Sequence, residues 1–177
     1  MLLINSNNPH YLEAFKNLFK QKKISISDNI SDKFFAEIFL DIQNDSKLTI
    51  STQGLKKIFS LPLEFEKIFK FLVDHISTLK IEYGKIDYFP YKQELIFQEK
   101  KFHLKEIHNI IFANLILNKQ TGIDKSILYK KIWPQDKVYS INKLETHLTN
   151  LKNELRDNLQ FNFQFSSNEG TLCLRID

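Results

Sequence analysis

Strand-like and helix-like segments alternate through the first half of this chain and then stop alternating near residue 80, so no single repeating architecture covers all 177 residues. Before the break, 2–5 (LLIN) reads as a short strand running into Ser6-Asn7-Asn8-Pro9, and Pro9 suits the first turn of a helix. Leu12, Phe15 and Phe19 recur on one helical face through 10–21, and 24–26 offers a second strand. SDKFFAEIFLDIQND predicts a helix capped by Ser31 or Asp32, with Phe34, Phe35, Ile38, Phe39 and Ile42 at helical spacing, although AEIFLDI also reads as a strand. KLTIST and KKIFSL predict strands, and Pro62 opens an amphipathic helix carrying Phe65, Ile68, Phe69, Leu72, Val73 and Ile76. The expectation for 1–79 is a small α/β layer domain.

From a boundary near 78–84 the pattern is different. GKIDYFPYKQELIFQEKKFHL alternates short apolar runs with turns at Pro90-Tyr91-Lys92 and Glu99-Lys100, as antiparallel ribbons do. Three helices are predicted next. The first, over 105–118, turns Ile107, Ile110, Ile111 and Leu115 inward and closes at Gln120-Thr121-Gly122. The second, over 124–132, is capped by Asp124 and stopped by Trp133-Pro134, and the third covers 140–157. Two strands about a turn at 166–170 end the chain. Three helices and then a hairpin predict a winged helix-turn-helix domain over 81–177.

The third helix poses the functional question. In LETHLTNLKNEL the leucines Leu144, Leu148, Leu151 and Leu155 form one stripe, and Asn142, Thr146, Thr149, Asn150 and Asn153 gather opposite it. A solvated helix face usually carries Lys and Glu instead. Asn pairs in bidentate fashion with adenine N6 and N7, and Thr bonds base edges or touches a thymine methyl, so this face suits an AT-rich major groove. Lys125, Lys130, Lys131, Lys137 and Lys143 are candidate phosphate contacts, although a charge run on a helix is usually only a wet surface.

Charge permits such a partner without demanding it. The chain carries +4 at pI ≈ 9.0, and from 81 onward 14 basic residues, only two of them arginines, face 12 acidic ones. The lone Cys173 can form no intrachain disulfide and reads as core. His10, His75, His103 and His108 lack metal-ligand spacing, and His147, bordering the leucine stripe, reads as a hydrogen-bonded structural residue. HExxH, Walker and GxSxG motifs are missing, so no enzyme, metal or cofactor is expected. No apolar run approaches a membrane span and the start lacks a leader pattern, which predicts a cytoplasmic protein.

Three segments carry a family resemblance. Residues 123–133 with the closing pair Ile132-Trp133, 144–155 with His147, Leu148, Leu151 and Leu155 in register, and FHLKEI at 102–107 resemble the effector domain of OmpR/PhoB-type response regulators. The resemblance implies that 142–156 is a recognition helix of a transcription regulator, with Lys152 and Arg156 among its contacts. Asn150 and Lys152 stand where the family usually has arginines, and Ser167 stands where its wing often carries one.

The first half resembles the family's receiver domain, shortened and stripped. Ser6, Asn7 and Asn8 stand where paired acids would hold Mg²⁺, Leu61-Pro62 stands where a Lys-Pro is usual, and Leu40-Asp41-Ile42 is like the phosphoacceptor motif only if it is a strand. The resemblance therefore implies an atypical, phosphorylation-independent two-component regulator whose first domain dimerises. Phe65, Phe69, Leu72 and Val73 lie on a helix that reads as core by default, but its apolar surface is wider than one small sheet can cover, so they are also the expected dimer contact. Double-stranded DNA, a second copy and RNA polymerase are the expected partners. The competing expectation is a protein-interaction module that has lost DNA binding.

Overall fold

The computed structural model describes residues 1–27, 32–43, 46–52, 54–61, 64–168 and 170–176. Their contacts divide the chain into two units, Met1–Thr78 and Leu79–Asp177.

In the first unit β1 (Leu2–Ser6) leads into α1 (Pro9–Gln21), whose start is set by Asn8: its side chain accepts from the backbone N–H of His10 at 3.0 Å and of Tyr11 at 3.3 Å. β2 (Ile26–Ser27), β3 (Ala36–Gln43), β4 (Lys47–Thr52), β5 (Leu55–Ser60) and α2 (Phe65–Ser77) follow. The sheet order is β2-β1-β3-β4-β5, with β1 parallel to both neighbours and the remaining pairs antiparallel. Phe15 and Phe19 of α1 and Ile68, Phe69 and Leu72 of α2 are buried together with Ile4, Ile38, Leu40, Leu48 and Ile50 of the sheet.

The segment expected to be a helix from 31 is the central strand β3. Phe34, Phe35, Ile38, Phe39 and Ile42 do fit a helix by spacing, and pairing with β1 and β4 overrides that pattern. The neighbours choose: Ala36, Ile38 and Leu40 are buried between β1 and β4, while Phe39 is 42% exposed. Asp32 caps no helix and accepts from the Ser27 hydroxyl at 2.9 Å. Ser31 and Pro62, the expected cap and helix opener, lie outside the described residues. Of the residues read as core or dimer contact, Phe69 and Leu72 are buried, Phe65 lies tilted against Phe15 with ring centroids 4.2 Å apart and Phe69 meets Phe19 at 4.9 Å, so this face of α2 packs on α1 of its own unit. Val73 is half-buried.

The second unit opens with an antiparallel meander, β6 (Ile81–Tyr83), β7 (Ile86–Phe89), β8 (Glu94–Phe97) and β9 (Lys100–His103). Its last turn places Gln98 and Glu99 at φ 46 and 66, both left-handed. Then come α3 (Glu106–Leu117), β10 (Ile123–Asp124), α4 (Lys125–Ile132), α5 (Ile141–Leu159), β11 (Phe163–Asn168) and β12 (Thr171–Ile176). α3 is buried through 111–116, including Phe112, Ala113, Asn114 and Ile116 beyond the expected stripe. The two C-terminal strands are not a free hairpin, because β10 pairs with β12 to give the order β10-β12-β11.

Together these elements correct the expected fold class. In a receiver-like α/β domain a helix would cross from β3 to a further parallel strand, whereas here the chain reverses directly into the antiparallel β4 and β5. Among the described residues the protein is a mixed α+β chain of five helices and twelve strands in three sheets, not a receiver-like domain followed by a winged helix.

Candidate nucleic-acid interface

α5 begins because Ser140, with extended backbone, accepts from the Lys143 N–H at 3.4 Å, and it ends at Gln160 in the left-handed region at φ 54. Leu144, Leu148, Leu151, Leu155 and Leu159 are buried, which fixes the helix's rotation about its axis and sends the opposite side outward. Asn142, Thr146, Thr149, Asn150 and Lys152 are exposed and Asn153 is half-buried. Among the described residues, the side chains of Asn142, Thr149, Asn150, Lys152 and Asn153 make no hydrogen bond within the protein. Thr146 donates its hydroxyl to the Asn142 carbonyl at 2.8 Å, which leaves its methyl and its lone pairs outward. Apart from that one donation, these side chains present amides and hydroxyls with bonding capacity to spare.

The lysines expected to bind phosphate fall into two groups. Lys130 and Lys137 are exposed, and Lys131 is half-buried. Lys125 is withdrawn: its side chain is 12% exposed and its Nζ donates to Glu145 Oε1 at 2.6 Å. Lys143 folds back over the ring of Trp133 at 4.2 Å and donates to Asp136 Oδ2 at 2.8 Å. Asp136 also accepts from the Tyr129 hydroxyl at 2.6 Å, and the bonds from Lys143 and then Tyr129 hold its carboxyl below the usual range. Arg156 lies on the exposed side with Nε 3.0 Å from Asp157 Oδ1. Ser167 is exposed on β11 and lines, with Lys152, Asn153 and Arg156, a depression of about 350 Å³ between α5 and the C-terminal sheet. Glu169 is outside the described residues.

His147 differs from its expected role. Its Nδ1 is buried with no hydrogen-bond partner among the described residues, and the ring packs against Trp133 at 5.3 Å and His108 at 5.8 Å. Burial, then the charges of His108 and Lys143, hold the imidazole below its ordinary pKa. His108 Nδ1 lies 2.9 Å from Glu154 Oε2, and Lys105 donates to the other oxygen. Burial pushes the Glu154 carboxyl up, but the bonds from Lys105 and His108 outweigh it and leave the group low.

In the first unit, Ser6, Asn7 and Asn8 are spent on structure. Ser6 donates to the Leu40 carbonyl at 2.9 Å, Asn7 donates to Asp41 Oδ1 at 2.7 Å, and Asn8 caps α1. Asp41 Oδ2 accepts from Gln43 at 2.9 Å, so both of its oxygens are held by amides. Among the described residues no group of three His, Cys, Asp or Glu side chains is placed to hold a metal ion. No described helix is long and apolar enough to cross a membrane.

Spacing in the sequence picks out the outward face of α5 and shows Glu145 only as a charge that makes the helix nearly neutral, not as a residue bordering that face beside Asn142 and Thr149. Its tie to Lys125, twenty residues away, leaves no local pattern. No protein-family model matches the chain and no curated protein matches it, so the functional reading rests on these residues themselves.

Proposed function

We propose that the protein is a cytoplasmic, sequence-specific DNA-binding regulator of transcription that inserts the outer face of α5 into the major groove and acts without aspartyl phosphorylation. The observation that carries this reading is the row of uncommitted amides and hydroxyls on α5, which can be satisfied by base edges and by water alike but discriminates only among base edges. Lys152 and Arg156, at the flank of that row, and the exposed Lys130 and Lys137 supply phosphate contacts. The sequence resemblance of 123–133 and 144–155 to OmpR/PhoB-type effector domains supports the same function. An Asp41 whose two oxygens are held by Asn7 and Gln43 fits a regulator that does not use a phosphoryl signal.

With so few arginines, binding as a homodimer to paired half-sites would supply affinity through effective concentration. Sedimentation should then show a species of twice the 21.0 kDa chain mass. The direct test is fluorescence anisotropy on the duplex upstream of the protein's own gene and on a scrambled duplex, across a salt series. Preference for the native duplex is expected, and Asn150→Ala should erode it by about 1–3 kcal/mol. Equal binding to both duplexes, with no effect of the mutation, would overturn the reading.

One observation favours a second reading, a protein-interaction module: Ile127, Val138, Tyr139 and Ile141 are 52%, 76%, 42% and 47% exposed. Binding through those apolar side chains would be nearly indifferent to salt, whereas phosphate contacts make log K fall steeply with log salt.

A further inference from the structure

We infer that Glu145 is a base-reading residue that selects an exocyclic amino group, N4 of cytosine or N6 of adenine, at one position of the bound site. This inference rests on the reading of α5 as the helix that enters the major groove. Three observations lead to it.

The first is position. Glu145 lies three residues after Asn142 and four before Thr149, and with Thr146 and Asn150 these side chains line one open depression of about 400 Å³ on the outer face of α5. A carboxylate that served only to join α4 to α5 would not need to border that face beside Asn142 and Thr149.

The second is how the carboxylate is held. Lys125 of α4, itself only 12% exposed, donates to Oε1 at 2.6 Å, while the Glu145 side chain is 46% exposed. One oxygen is thus anchored from behind and Oε2 makes no hydrogen bond among the described residues. A long, flexible side chain held by a mostly buried lysine loses less freedom when its second oxygen meets a ligand. Lys125 is therefore a positioning residue, not a phosphate contact.

The third is chemistry. An ionised carboxylate accepts hydrogen bonds and donates none. In the major groove cytosine offers the N4 amino group and adenine the N6 amino group. Guanine presents only O6 and N7, and thymine presents O4 and a methyl. Acceptor facing acceptor repels, so Glu145 rejects guanine and thymine at its position while the amides beside it, able to donate and accept, are tolerant. Against a polyanion the same charge lowers affinity for every sequence.

The test is selection of bound duplexes from a randomised pool by the full-length protein and by Glu145→Ala, Glu145→Gln and Lys125→Met. The wild-type pool should contain a position restricted to cytosine or adenine, and which base appears there identifies the amino group read. In Glu145→Ala discrimination at that position alone should fall by roughly tenfold, while binding to unrelated duplex at low salt strengthens. Glu145→Gln, nearly isosteric and so safe for folding, should admit guanine and thymine there. Lys125→Met should blur the same position more weakly. A wild-type motif that survives unchanged in both Glu145 variants would reduce the residue to a bridge between helices and overturn the inference while leaving DNA reading intact. A wild-type pool with no motif would overturn the DNA reading and this inference together.

Discussion

Gly122 sits where no side chain fits. A Cβ built there would lie 2.5 Å from Cys173 Sγ and 2.6 Å from Thr171 Cγ2, and φ is +70. Gly122→Ala should therefore destabilise the second unit by about 2 kcal/mol or more, combining left-handed strain with a clash against β12, as denaturant unfolding would measure. His147 gives a residue-scale expectation of different kind. Its imidazole is held below the ordinary histidine value near 6.5, so between that value and its folded pKa the unfolded chain binds more protons. Stability from this site is complete above about pH 6.5 and is lost as pH falls through the lower, folded pKa. Melting temperature followed against pH should decline on acidification, and the decline should be shallower in His147→Phe. An equal decline in both proteins would assign it elsewhere. The orphan Nδ1 was not legible in the sequence, which showed only a histidine bordering leucines; its surroundings come from Trp133 and His108, on other segments.

Among elements, legibility followed the interval between apolar residues. α5 was plain because its leucines mix steps of three and four, which only a helix brings to one side. β3 was not, because Phe35, Ile38 and Ile42 mix the same steps and only the pairing with β1 and β4 makes the segment a strand. β10, two residues long, leaves no periodicity at all and exists because β12 offers it an edge. The turn between β8 and β9 shows the reverse case, where sequence contradicts geometry. Gln98 and Glu99 both take positive φ, as a two-residue hairpin of the right twist requires, yet neither is a residue that does so cheaply. Replacing the pair by Asn-Gly should stabilise the protein by about 1 kcal/mol, raising the denaturant midpoint without changing the slope.

For the molecule as a whole, the +4 charge is spread too thinly to make affinity by itself. The number of phosphates engaged should therefore be small and countable: Lys152→Ala and Arg156→Ala should each reduce the slope of log K against log salt by about one, with little change in sequence preference. The break in rhythm near residue 80 was visible because it is a change of local pattern, and the units part between Thr78 and Leu79. Pairing order was not visible, because which strands lie side by side depends on partners far apart in the chain. β1 pairs with β3 across a separation of 34 residues, Leu2 with Ala36, whereas β3, β4 and β5 follow one another through short reversals. Closing the longer loop costs more entropy, so the meander forms readily and the parallel pairing forms slowly. During synthesis β1 thus leaves the ribosome well before the strand that secures it, waiting with its apolar LLI exposed until β3 emerges; pulse-labelled amides of β4 should gain protection before those of β1.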